Sequence, residues 1–205
     1  MPTSTDGRAT ATLVVADDRG VSGTDVVTPI GWTKYLYLAH FAKPKSDRAI
    51  FRAIKTKQIA SIVEIGMRCP EFTSSLLMTA ARYATSPKLS YAGIDLFEAR
   101  PKNQIPFSLK EMHKRLSDDR VKVRLIPGDP VVGLARFANT LTGTELVIVS
   151  ASEAVMEEAW FYVPRMLADK AEVFVADSDN HAKCLSHADV GALAERSSLG
   201  KRRAA

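Results

Sequence analysis

The stretch Ser61-Ile62-Val63-Glu64-Ile65-Gly66-Met67-Arg68-Cys69-Pro70-Glu71-Phe72-Thr73 decides how this chain folds. Its first half is an apolar run closed by an acid and a glycine, which reads as a buried strand ending in a tight turn. The second half hands over to a helix. Glycine lets a backbone close on a ligand and a helix start offers unpaired N–H groups, so this is the nucleotide-cradling corner of open α/β sheets. Only the first glycine is kept: Arg68 and Pro70 stand where a fully glycine-rich loop carries its second and third small residues.

Outward from this corner, the apolar runs 89–95, 121–126, 146–149 and 172–176 join 62–65 to give five strands. Helical segments near 71–84, 106–117, 130–140 and 153–168 separate them. That rhythm predicts an α/β fold with a Rossmann-like, doubly wound, mainly parallel sheet. Upstream, Trp32, Tyr35, Leu36, Leu38 and Ala39 recur at helical spacing until Lys43-Pro44 interrupts. Ser46 or Asp47 then caps a second helix, with Ile50, Phe51 and Ile54 on one face and Arg48, Arg52, Lys55 and Lys57 on the other. Residues 1–28, rich in Thr, Ser, Gly and Asp around Leu13-Val14-Val15, read as a flexible arm in preference to an added edge strand. One domain is expected over 29–187, followed by a helix and basic tail over 188–205. The remainder after 176 offers no two good strand candidates, so the sheet is expected to be truncated after its fifth strand. An edge left open there suggests a homodimer.

Composition narrows the function classes. The 205 residues, 46% of them apolar, favour one globular unit with a full core. A net charge of +5 arises from 28 basic and 23 acidic residues, part of it in the terminal Lys201-Arg202-Arg203. No basic stripe with interleaved aromatics accompanies it, so nucleic-acid binding is not expected. Cys69 and Cys184 are too few and too far apart for a disulfide framework or a paired-ligand zinc site, which fits a reducing, cytoplasmic setting. No apolar run approaches the ~20 residues that cross a membrane, and the N-terminus lacks the pattern of an export signal.

In doubly wound sheets the ligand lies beyond the carboxyl ends of the strands, where strand order reverses. Here those ends are Glu64-Ile65-Gly66, Asp95-Leu96-Phe97, Pro127-Gly128-Asp129, Ser150-Ala151-Ser152 and Asp177-Ser178-Asp179. Asp95 is placed either to accept from a ribose hydroxyl pair or to stand as a solvated strand-end acid. Gly128-Asp129 is either a wall that accepts from an adenine amino group or a plain turn. Glu64 either carries negative charge toward the cleft, suiting a cationic ligand, or serves at the strand end or a helix cap. Arg68 either pairs with a ligand carboxylate or faces solvent from its loop.

Val63-Glu64-Ile65-Gly66, Gly93-Ile94-Asp95-Leu96-Phe97 and Ile126-Pro127-Gly128-Asp129, in this order and spacing, resemble the class I S-adenosylmethionine-dependent methyltransferases. Within that superfamily the chain is most similar to the small-molecule O-methyltransferases, over roughly 47–177. The resemblance implies S-adenosylmethionine as cofactor and a small-molecule methyl acceptor as partner. It also implies that Gly66, with Glu64, Met67 and Arg68, lines the methionine portion. Asp95 beside Leu96 would hold the ribose, Gly128 and Asp129 would flank the adenine, and Ser150 would complete the cofactor site. Asp95→Ala is then expected to weaken cofactor binding and leave the fold intact.

Related metal-dependent O-methyltransferases carry an acid after the fourth strand, whereas this chain has Ser150-Ala151-Ser152-Glu153, so the expected mechanism is positioning without a metal. Asp177-Ser178-Asp179-Asn180-His181 alternates oxygen ligands, a pattern common by chance. His113 and His187 read as surface or core-edge histidines, and Cys69 as a packing residue or a thiol activated by Arg68. Trp32, Tyr35, Tyr37 and Phe41 read as core, interface or the cap of an acceptor pocket. The altered glycine loop keeps a second reading open: a non-catalytic methyltransferase-like scaffold that has lost its cofactor. The broken glycine fingerprint disfavours a nicotinamide-dependent oxidoreductase.

Overall fold

The computed structural model describes residues 27–176 and 182–204. Side chains alternate along the strand Ser61–Ile65 (β1): Ile62 and Glu64 face one layer of the core, and Val63 and Ile65 face the other. All but Ser61 are buried, as expected of a strand covered on both faces. Leu89–Asp95 (β2), Val121–Pro127 (β3), Thr144–Val149 (β4) and Leu167–Ala176 (β5) run parallel to it, and Ala182–Leu185 (β6) runs antiparallel to β5. The order is β3-β2-β1-β4-β5-β6, a doubly wound, Rossmann-like sheet whose order reverses between β1 and β4.

Two helical layers cover the sheet. On one face lie Trp32–His40 (α1), Asp47–Lys57 (α2), Pro70–Tyr83 (α3) and Leu109–Leu116 (α4). The expected face of α2 is the buried one: Ile50, Phe51 and Ile54 contribute about 1.5–3 kcal/mol each by leaving water. The other face carries Pro130–Phe137 (α5), Glu153–Ala159 (α6) and His187–Ala204 (α7). α5 starts where Asp129 accepts a hydrogen bond from the Val131 N–H at 2.8 Å, and Pro130 fills the first helical position.

Two expectations are corrected. The sheet does not end after its fifth strand, because β6 pairs with β5 from Val173↔Leu185 to Ala176↔Ala182. Four residues, only two of them strongly apolar, carry little signal of their own, and the β5 edge supplies their order. The β5 edge that suggested a homodimer is therefore covered by the same chain, and β6 is the outer strand in its place. The helix expected over 153–168 is shorter: α6 ends at Ala159, a 3₁₀ helix Trp160–Arg165 follows, and β5 opens at Leu167. Pro164 inside that segment has no N–H to continue an α-helix, so the chain tightens and turns into the strand.

Most of the N-terminal arm lies outside the described residues, but Val27 is buried in the core and Ile30 donates its N–H to the Met78 carbonyl at 3.0 Å. No helix among the described residues is long and apolar enough to cross a membrane.

Candidate functional site

At the reversal point the turns after β1 and β4 touch. The Ile65 carbonyl accepts from both Ser150 N–H (2.8 Å) and Ala151 N–H (3.0 Å), which brings the second turn down onto Gly66. Gly66 has φ +76°, and a Cβ there would sit 2.6 Å from the Ala151 nitrogen. Glycine at 66 is thus required twice over, by backbone conformation and by contact.

A cleft of about 490 Å³ opens above this crossing. Its lining includes Gly66, Met67, Arg68, Asp95, Leu96, Asp129 and Ser150 from among the residues singled out in the sequence. Arg100, Pro101, Gln104, Ile105, Pro130, Ala151, Ser152 and Val155 complete it. Gly128 does not line the cleft; at φ +130° it donates its N–H to the Asp95 carbonyl at 2.8 Å and sets the turn from β3.

Glu64 does not send its charge into the cleft. The period of two that points Val63 and Ile65 toward one core layer points Glu64 into the other, beneath α3. There its Oε2 accepts from the Thr73 hydroxyl at 2.6 Å and the Tyr91 hydroxyl at 2.7 Å, while Oε1 has no partner. Burial pushes the Glu64 pKa above the usual carboxylate value, outweighing the two hydrogen bonds that pull it down. Gly93 supplies the room, since a Cβ there would lie 2.9 Å from both the Tyr91 hydroxyl and the Met67 sulfur.

Asp95 is filled from within the chain. Oδ1 accepts from the Phe97 N–H (2.9 Å) and Arg100 Nε (2.7 Å), and Oδ2 accepts from the Met67 N–H (2.7 Å) and Arg100 Nη2 (2.5 Å). Both side chains are buried, at 5% and 8% exposure, so this is neither a solvated acid nor a free one. Arg100 also donates to the Met67 and Ile105 carbonyls and stacks on Phe107 at 3.9 Å. The backbone bends to allow this: Phe97 takes φ +50°, a left-handed conformation uncommon for an aromatic residue, and is wholly buried. Arg100 was not singled out in the sequence. A lone arginine five residues past the strand end gives no sign that its loop folds back onto the acid.

Arg68 is neither exposed nor free. Its Nη1 donates to Asp47 Oδ1 at 3.0 Å and its guanidinium stacks on Phe72 at 3.5 Å. Nε and Nη2, like the nearby Ser150 hydroxyl of the same cleft, are buried without a partner. Pro70, the other departure from a glycine-rich loop, occupies the first turn of α3. Asp129, besides lining the cleft, is the cap of α5.

A second cavity, about 620 Å³, shares Ser150, Ala151 and Ser152 with the cleft and is walled by α6, β5, β6 and α7. The remaining sequence candidates lie elsewhere. Cys69 packs beside the first core layer and lines a separate groove with Tyr37, while Trp32, Tyr37 and Phe41 of the α1 region are exposed away from both cavities. His113 pairs with Ser117 at 3.1 Å, and His187 faces the Ala171 carbonyl at 3.2 Å. The cluster 177–181 lies outside the described residues.

No family profile and no curated protein matches the chain. Among solved structures, the chain is similar to CalS11, a calicheamicin methyltransferase, at 14% identity over 98% of this chain and 90% of that one, with a TM-score of 0.47. A precorrin-6y C5,15-methyltransferase from Geobacter metallireducens is similar at 15% identity over 77% of this chain and 75% of that one, TM-score 0.44. The MycE methyltransferase of the mycinamycin pathway, in complex with Mg and SAH, is similar at 18% identity and TM-score 0.42 over 74% of this chain. The chain spans 36% of the MycE chain. At these identities the likeness concerns the path of the chain, and what each of those proteins acts on is a property of that protein.

Proposed function

We propose that this protein binds S-adenosylmethionine in the cleft above Gly66 and transfers its methyl group to a small molecule. The observation that carries the reading is the set of unmet polar groups at the strand-order reversal: Arg68 Nε and Nη2 and the Ser150 hydroxyl, buried and without partners. Buried donors left unpaired cost stability and are the groups a bound ligand satisfies. A carboxylate suits them, because a guanidinium edge meets its two oxygens in a fork. Gly66 keeps the floor low, and Leu96 and Pro130 offer apolar walls for a base.

When bound, S-adenosylmethionine supplies a methyl group on a positively charged sulfur. The chain's own residues hold, orient and exclude water, and alignment of the acceptor with the methyl group is the main contribution asked of them. No base is assigned among the described residues. Ribose binding at Asp95 requires Arg100 to let go, since each carboxylate oxygen already accepts two hydrogen bonds.

That last observation favours a second reading, a methyltransferase-like scaffold in which Arg100 has permanently replaced the ribose. Calorimetric titration with S-adenosylmethionine and with S-adenosylhomocysteine separates the two. Saturable binding at micromolar concentration supports the first. Absence of heat with the folded wild type and with folded Arg100→Ala supports the second.

A further inference from the structure

The cavity beyond Ser152 has a chemistry of its own. Met156, Trp160, Val175, Leu185 and Leu193 give it apolar walls. Met156 and Trp160 are buried, so those walls are fixed by core packing. Among the described residues its charged lining is Arg68 and Lys183 against Glu153. Arg68, Ser150, Ala151 and Ser152 line both this cavity and the cleft, so an occupant here lies beside the reversal point. The cavity exists because of β6, whose register sets Lys183 opposite Val175 at the mouth.

We infer that this cavity binds a small organic acid: a molecule with a flat apolar body, lying against Trp160, and one carboxylate directed to Lys183. On the reading above, this acid is the methyl acceptor. Five apolar walls with two cations form the usual composition of a small-molecule pocket, in which area supplies affinity and a few polar groups fix orientation. A carboxylate is drawn by Lys183, while Arg68, already paired with Asp47, keeps its unmet donors for the cleft. A neutral body would forgo the attraction to Lys183, and an amine would meet it as like charge.

The chain has two tryptophans, and Trp32 is exposed while Trp160 forms part of the cavity wall. Trp32→Phe therefore isolates the Trp160 fluorescence. The probes are 4-hydroxyphenylacetate, its amide, and tyramine, which share a ring and differ in charge. Saturable change in Trp160 emission is expected with the acid, with the amide weaker by about tenfold, the scale of one hydrogen bond to a charged group. Lys183→Glu is expected to weaken the acid by a similar factor and to leave the amide unchanged. Equal binding of acid and amide, a preference for tyramine, or no response to any of the three would overturn the proposal. S-adenosylhomocysteine is titrated calorimetrically on the same protein. Its binding without the acid's removes the substrate class and keeps the methyltransferase reading, whereas the acid's binding without it removes that reading and keeps the organic-acid site.

Discussion

Arg100 grips Asp95 through two parallel hydrogen bonds, Nε to Oδ1 at 2.7 Å and Nη2 to Oδ2 at 2.5 Å, and both side chains are buried. Removing one partner leaves the other charge buried without compensation. Asp95→Ala is accordingly expected to destabilise the fold by about 3–5 kcal/mol, not merely to weaken a ligand as the sequence suggested. Urea unfolding checks this, and a stability close to wild type would show that Arg100 reaches water as soon as the acid is gone.

Arg100→Ala acts differently, because the Met67 and Phe97 N–H groups still hold the Asp95 carboxylate. Two acceptor positions are freed toward the cleft. S-adenosylhomocysteine is expected to bind this variant about tenfold more tightly than wild type. Unchanged affinity in calorimetry would take Asp95 out of the ribose contact.

Gly66→Ala places a Cβ against the Ala151 backbone in a conformation that L residues rarely adopt. The expected cost is roughly 1–3 kcal/mol, the range of an overpacked core, because the obstacle is main chain and cannot rotate aside. Gly128→Ala, where φ is also positive but no atom lies within 4 Å, is the control for conformation alone. A Gly66→Ala loss no larger than the control's would mean that the two turns separate easily.

Glu64 has a pKa raised by burial, so its native form holds a proton that the unfolded chain gives up first. Its contribution is fully present below the ordinary value of 4.5 and is lost as pH rises through the native pKa. Glu64→Gln does not titrate, and its oxygen still accepts from Thr73 and Tyr91. The stability of the variant relative to wild type is therefore expected to increase from about pH 4 to about pH 7.5, measured as paired urea midpoints. A relative gain by wild type over that interval would show the anion to be the favoured native form.

The Cys184 thiol donates to Glu172 Oε2 at 2.9 Å, and burial together with this carboxylate raises its pKa from 9.0 to about 11. Although the residue is exposed, its alkylation by iodoacetamide near pH 8 is expected to be slow, and faster in Glu172→Gln. Peptide mass spectrometry follows both rates. Equal rates would mean that the carboxylate does not control the thiol.

What the sequence disclosed follows from which signals are local. Alternation in Ile62-Val63-Glu64-Ile65 and helical spacing in Ile50, Phe51 and Ile54 are properties of adjacent residues, and β1 and α2 formed as read. Gly66, Asp95 and Ser150 were brought to one cleft because strand ends in a parallel sheet converge. The same alternation, applied strictly, would have turned Glu64 into the core layer instead of the cleft. Three features were not legible because distant neighbours create them: Arg100 folding back onto Asp95, Arg68 turning to Asp47, and β6 pairing along an edge only β5 offers. The fold was readable and the state of its charges was not.

Beside the crossing of the two turns at Gly66 and Ala151, Arg68, Ser150, Ala151 and Ser152 line two adjoining cavities. A molecule that shifts Arg68 or Ser150 in either cavity would alter the shape and charge presented in the other, and two such occupancies would be linked in free energy. Linkage of this kind is reciprocal: whatever factor the first occupant applies to the second, the second returns to the first. The order of filling would then be a matter of concentration, and any coupling between the two occupants would pass through the four shared residues.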